Sequence, residues 1–347
     1  MANDVTEDVA IVSPWTAATG MHLVQQGGLR AKLLAAYLWQ HSFRAVTVLL
    51  VASVIFTAAR QVPSGGSKTL QTPQTAQAIL QEPPKSLDRP QQYAWLSKRS
   101  RATYESLSKR IPPPEGFTRT TVEPGSFADW LRHLPVAPQD RPVTNSKHQS
   151  VMEANDPRIA AVIDLQPGAG NLLLGPAMMV RLRAEYLWAS KYENVAFHYT
   201  SGHEALWADW AAGQRPSVQG KKVAFHKERP TDDSRDSFCS YLETLFRYTT
   251  IYSVYNDSEP ASSGTIAAGD MFIVTGRQGA AALVLDVATN QEGHVRVLLG
   301  QGGQPAQTFH VLRAPDGTPW FTVSQSQGIS LGPRETLKLK NLRHWKG

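Results

Sequence analysis

Ten histidines and one cysteine, Cys239, are where chemistry in this chain would start. His198 and His203 flank the turn in FHYTSGHEALW, and with Glu204 they supply the residue types that ligate zinc. A zinc-binding HExxH helix sets its imidazoles four residues apart on one face. Here the gap is five and contains Gly202, so metal ligation is not expected. Ser201 in the same turn is the hydroxyl that a hydrolase reading would use. Cys239 lies in RDSFCSYLETLF at helical spacing from Leu242 and Leu245, the position of a core thiol more than of a nucleophile. His310 in QTFHVL has Gln301, Gln304 and Gln307 around it. These groups can bind a peptide or sugar, or satisfy loop backbone. Asp270 precedes one apolar run and Asp286 interrupts another. A paired-carboxylate glycosidase is one reading and local capping the other, and no spacing rule links the two. Trp188, Tyr199, Trp207 and Trp210, near Arg215, offer either a stacking floor for a glycan or peptide, or core.

The elements that would position these groups are legible as runs. Strands are expected at Ile159–Leu165, Met271–Val274, Ala281–Val287, Val295–Leu299 and Thr308–Leu312, each closed by Gly, Pro, Asp or Asn. Helices are expected at Pro176–Lys191, Glu204–Ala212 and Asp236–Thr249. In the first, the Met178, Leu182, Tyr186 stripe predicts a half-buried surface helix. Helices first and antiparallel strands late predict an α+β domain over residues 111–347. The glycines of GAGN at 168–171 and GQGGQ at 300–304 lack the phosphate-loop and dinucleotide endings and read as turns, so no cofactor is expected. The basic ending LKLKNLRHWKG reads as a solvated tail, or as a segment lying along anionic lipid or wall polymer.

Composition bounds the function further. The chain has 347 residues, 41% of them apolar, and a net charge of +6 that is spread out, so nucleic acid is not an expected partner. A lone cysteine excludes an internal disulfide and any CxxC site. Mean hydropathy of -0.30 excludes a polytopic membrane protein but permits one span. That span is expected at 42–62, where Ala45–Ala59 carries no charge between Arg44 and Arg60. Residues 1–41, with an interfacial LLAAYLWQ segment, would lie in the cytoplasm beside Arg30, Lys32 and Arg44, and membrane lipid is the expected partner there. Residues 63–110 read as a Gln/Pro/Ser-rich linker followed by a basic helix. The C-terminal domain is then extracytoplasmic (periplasmic), on a single-pass anchor of the cytoplasmic membrane.

Several blocks, among them SFADWLRHLPVAP (Ser126–Pro138), RLRAEYLW (Arg181–Trp188), GDMFIV (Gly269–Val274), LVLDVA (Leu283–Ala288) and LLGQGGQPAQTFHVL (Leu298–Leu312), resemble the domain of unknown function 4846 family in the same order. The resemblance implies an exported or surface-attached bacterial protein. In typical members it places a Cys at the start of the helix holding RLRAEYLW, and a His at the start of the strand holding LVLDVA. That order is similar to papain-like cell-wall hydrolases of the NlpC and CHAP type, in which a helix N-terminus lowers the thiol pKa and a strand His shares its proton. Aligned on those blocks, Gly175 stands at the Cys position and Ala280 at the His position. Neither ionises. The resemblance thus implies a papain/NlpC-like helix and antiparallel sheet in a degenerate member, a non-catalytic binding or scaffold module of the cell envelope with peptidoglycan or an envelope protein as partner. Binding candidates are Arg181, Arg183, Glu185, Ser201, Trp207, Trp210, Asp270, Asp286, Gln301, Gln307 and His310. Two rivals come from other classes: a hydrolase of wall peptide or glycan using His310 with Asp286, or Ser201, and an accessory subunit of a larger membrane complex.

Overall fold

The apolar run around LVLDVA becomes the central strand of the molecule. The computed structural model describes residues 93–346 apart from 98–99, 101–102, 167–171, 193–194, 262–264, 277–279 and 333–334. The expected anchor at 42–62, the segment 1–41 and most of the linker lie outside the described residues, as does the whole of GAGN. Among the described residues no helix is long and apolar enough to cross a membrane.

Nine strands form one antiparallel sheet: β1 (Thr118–Arg119), β2 (Ile159–Val162), β3 (Ser258–Pro260), β4 (Met271–Val274), β5 (Ala280–Thr289), β6 (Val295–Gln301), β7 (His310–Leu312), β8 (Phe321–Thr322) and β9 (Leu342–Trp345). Their order is β3-β9-β4-β5-β6-β7-β2, with β1 added to β5 and β8 to β6. The β5–β6 hairpin closes on Asn290, whose side-chain oxygen accepts from the Glu292 and His294 N–H groups. Beyond the single-turn helix Leu107–Arg110, the α-helices among the described residues are α1 (Phe127–Arg132), α2 (Gly175–Ala189), α3 (Trp207–Ala211), α4 (Arg235–Tyr248) and α5 (Ile251–Asn256). Ser234 caps α4, whose first turn carries Asp236 and whose last carries Arg247, the charge order that its dipole favours.

Residue alternation on β4 and β5 gives each sheet face its own core. Met271, Ile273, Ala281, Leu283 and Leu285 join the helices. Phe272, Ala282 and Val284 join Ile329, Leu337 and Leu342 on the other face. A bulge between Val284 and Asp286 shifts the register by one, after which Val287 faces away from the helices and Ala288 toward them. The result is a mixed α/β, sheet-rich domain.

Three expectations are corrected. Helix α2 is not a half-buried surface helix: Met178, Met179, Val180 and Leu182 are all fully buried, because β5, β6, α1 and α5 enclose it on several sides. The fold begins before Ile111, since Tyr93, Leu96, Tyr104 and Leu107 are core, and the Tyr93 hydroxyl donates to the Trp130 carbonyl at 2.9 Å. The basic ending supplies strand β9. Buried Arg343 donates to Ser258 Oγ, the Ser258 carbonyl and the Tyr255 carbonyl at 2.9, 2.6 and 2.9 Å, which permits a cation inside the sheet.

Candidate functional site

At the N-terminus of α2 the chain turns directly into a helix, with Gly175 and Pro176 in its first turn and no side chain capping it. Opposite lie the start of β5 and the end of β6. These elements and the α4–α5 corner enclose a cleft of about 540 Å³ whose walls include both Gly175 and Ala280. Glycine is required on the β6 side for close approach: a Cβ at Gly302 would sit 3.2 Å from Met178 Cβ and 3.4 Å from Gly175 Cα, and one at Gly303 would collide with the Gln307 amide. Gly302 thus serves close packing between strand and helix, while Gly300 lies against the Phe309 and Leu285 side chains.

The cleft offers hydrogen-bonding groups and one cation. Gln301, Gln304, Thr249, Thr250 and Arg247 line it, and no Cys, His, Asp or Glu does so among the described residues. Of the sequence candidates only Gln301, with the two positions Gly175 and Ala280, falls here. Arg247, Thr249 and Thr250 carry no local motif, and they reach the cleft only because α4 ends beside α2.

The other candidates sit elsewhere, each with a partner. Asp286, 1% exposed, points from the bulge to the helix face, where Arg119 Nε donates at 2.6 Å and Arg132 donates through Nε at 2.9 Å and Nη2 at 2.6 Å. Glu185, also 1% exposed, accepts from Arg181 on its own helix and from both terminal nitrogens of Arg235 on α4, each at 2.7 Å. Burial would raise its pKa, but the two guanidinium groups hold it below the usual carboxylate range. Arg183 stacks over Phe127 and Tyr186 at 5.1 and 5.5 Å, and burial lowers its pKa.

His310 is 1% exposed and donates from Nδ1 to the Thr308 carbonyl at 3.2 Å, and burial lowers its pKa to about 4. It and Asp286 are therefore engaged with different partners. Asp270 caps its own turn, accepting from the Ala267 N–H at 2.8 Å, and burial raises its pKa to about 6. Gln307 is buried over Gly303. Ser201 bonds His203 Nδ1 at 3.0 Å on an exposed turn, while His198 pairs with Asp257 at 2.5 Å, so the two imidazoles are held apart by separate contacts. No group of three or more metal-binding side chains occurs among the described residues.

The aromatic set is built into packing. Trp188 and Trp207 flank Phe238 at 5.3 and 5.2 Å, Trp210 is 8% exposed beneath Arg215 at 3.8 Å, and Tyr199 is buried against Tyr248. Cys239 is half-buried rather than wholly internal, and with Arg181 it lines a second, smaller cavity.

Fold and cleft together define a sheet-rich α/β domain that sets one helix N-terminus without a side-chain cap against the open end of an antiparallel hairpin in mid-sheet. The family described as Domain of unknown function (4846) matches residues 107–343, most of the chain, and the chain belongs to that family. No curated protein and no solved structure matches it.

Proposed function

We propose that this protein is a non-catalytic binding or scaffold module of the cell envelope, held to the cytoplasmic membrane by residues 42–62, with its domain on the outer side. The observation that carries the reading is that Gly175 and Ala280 line one cleft across a helix N-terminus and a strand start. In a papain-like hydrolase of the NlpC or CHAP type those two places would hold the thiol and the imidazole. With neither at these two positions, and no thiol or imidazole on the described walls, acyl transfer of that type at this place has no first step. What remains is a recognition surface: the amides of Gln301 and Gln304, the Thr249 and Thr250 positions and the Arg247 cation suit the amide groups of a wall peptide or the hydroxyls of a glycan.

Co-sedimentation with insoluble wall peptidoglycan tests the reading. The full chain should be retained and should release no soluble fragment. Ala280→Trp, which fills the cleft from the strand side, should abolish retention. Turnover by the purified chain, or retention unchanged by Ala280→Trp, would overturn it. For the anchor, a reporter enzyme fused after Arg89 should be active only outside the cytoplasm.

A further inference from the structure

Strand β2 ends the sheet order, and a bulge against β7 leaves Ala160 without a partner in that ladder. Along this edge two adjoining open hollows, of about 280 and 400 Å³, share Arg110, Gln139, Ala160 and Arg313 as walls. The first also has Arg141, so three guanidinium groups, drawn from widely separated parts of the chain, border one small space. No Asp or Glu lines either hollow among the described residues.

The pairing around these arginines leaves positive charge over. Arg110, whose side chain is 14% exposed, shares Glu105 through Nε and Nη2, each at 2.6 Å, and its Nη1 donates to the Ala137 carbonyl at 3.2 Å. Arg313 is half-buried and has no carboxylate. Its Nε donates to the Ile159 carbonyl at 3.1 Å and its Nη1 to the Gly317 carbonyl at 3.0 Å, which fixes the guanidinium and leaves Nη2 uncommitted. Arg141 is exposed and makes no side-chain hydrogen bond or ion pair among the described residues. The carboxylates nearby in the chain do not supply the missing charge: Asp156 is held by Arg158 at 2.7 Å, Asp316 accepts from the Thr318 N–H and hydroxyl at 2.9 and 2.8 Å, and exposed Asp140 forms no ion pair with Arg141. Two guanidinium groups thus stand without a counter-charge, and the repulsion between like charges is relieved by a bound anion.

The second hollow is chiefly apolar. Its own walls are Ile111, three prolines, Trp320 and Thr318, and the Trp320 indole N–H is already taken by the Pro112 carbonyl at 2.8 Å. We propose that the two hollows form one site for a phosphate monoester on an apolar body, the dianion among the three arginines and the body along the proline wall. A phosphate monoester carries nearly two negative charges at pH 7 and several acceptor oxygens, which suits two unneutralised guanidinium forks, whereas a carboxylate supplies one charge. The proposal stands independently of the reading of the cleft.

Phenyl phosphate is the probe, titrated calorimetrically at low salt into the full chain in a non-ionic detergent. It should bind saturably. Inorganic phosphate, which lacks the body, and benzoate, which lacks the second charge, should each bind about tenfold more weakly. Arg141→Gln removes a side chain that the fold does not use and should weaken phenyl phosphate about tenfold, the loss of one charge-assisted hydrogen bond. Arg313→Gln should weaken it at least as much. Lys147→Gln, the same charge change on an exposed turn outside both hollows, should leave binding unchanged. No saturable binding, equal affinity for phenyl phosphate and either benzoate or inorganic phosphate, or equal effects of Arg141→Gln and Lys147→Gln would overturn the proposal, whatever Arg313→Gln does to the fold.

Discussion

The two ends of β5 make opposite use of polar chemistry. At its start, Ala280 opens into a cleft with no carboxylate, thiol or imidazole on its described walls. Six residues on, Asp286 is buried between Arg119 and Arg132, and Arg119 donates further to the Ser108 and Ile111 carbonyls. Reactive-looking residues in this chain therefore mark its structural joints. The cleft beside Gly175 and Ala280 carries small residues, amides and one guanidinium on its described walls. A carboxylate at the joint holds the N-terminal segment to the sheet between two guanidinium groups, whereas one at the cleft would meet a single guanidinium, Arg247, beside amides.

Breaking the joint should have the largest effect. Asp286→Ala leaves two guanidinium groups unpaired beneath the sheet and should cost about 3–5 kcal/mol, which lowers Tm by about 10 °C for a domain of this size; thermal unfolding followed by circular dichroism checks it. Glu185→Ala removes the tie between α2 and α4. Its partners Arg181 and Arg235, 14% and 24% exposed, can rehydrate no better than Arg119 and Arg132 at 20% and 13%, so a comparable loss of about 3 kcal/mol is expected in urea unfolding.

A smaller effect appears in pH dependence. His310 has a folded pKa of about 4, below its ordinary 6.5, so its protonation favours unfolding and stability falls as pH drops from 6.5 toward 4. Asp270 has a folded pKa of about 6, above its ordinary 3.8, so its contribution is complete below 3.8 and fades as pH rises through 6. Between pH 5 and 6 the two slopes oppose each other. Asp270→Asn, which keeps an oxygen for the Ala267 N–H, should uncover the His310 term as a loss of about 1 kcal/mol per pH unit of acidification, while the unaltered protein stays nearly flat; urea midpoints at pH 5, 5.5 and 6 decide it.

The cleft end should be the most tolerant. A Cβ at Gly175 meets nothing nearer than 4.0 Å, so Gly175→Cys with Ala280→His should change stability by less than about 1 kcal/mol. In a Cys239→Ser background the new thiol should alkylate with iodoacetamide below pH 7, as a thiolate at a helix N-terminus does. A large destabilisation there would erase the contrast between the two ends.

Much of the scaffold follows from pattern. Met271–Val274 is a strand with the expected bounds, and Gly175–Ala189 and Arg235–Tyr248 differ from expectation by at most two residues at either end, because local periodicity and caps such as Ser234 act over one or two turns. Glu204–Leu206 was expected to be helix but forms a strand paired with Ala196–His198, a tertiary override of local propensity. Leu342–Trp345 resembled a solvated tail by composition. Its place between β3 and β4 depends on Ser258 and Tyr255, some 85 residues upstream. The cleft cation Arg247 had no sequence signal, since it becomes notable only through what faces it.

The sequence alone determined the apolar runs, the turn residues, the family blocks and the presence of side chains that cannot ionise at 175 and 280, all of which are identities or short-range spacings. Only the tertiary structure decided that Gly175 and Ala280 share a cleft, that Asp286 is held between arginines and that His310 is sealed from solvent. Burial and pairing depend on residues more than a hundred positions apart in the chain, and side-chain type sets what a group can do, while its surroundings in the fold set which of those things it does.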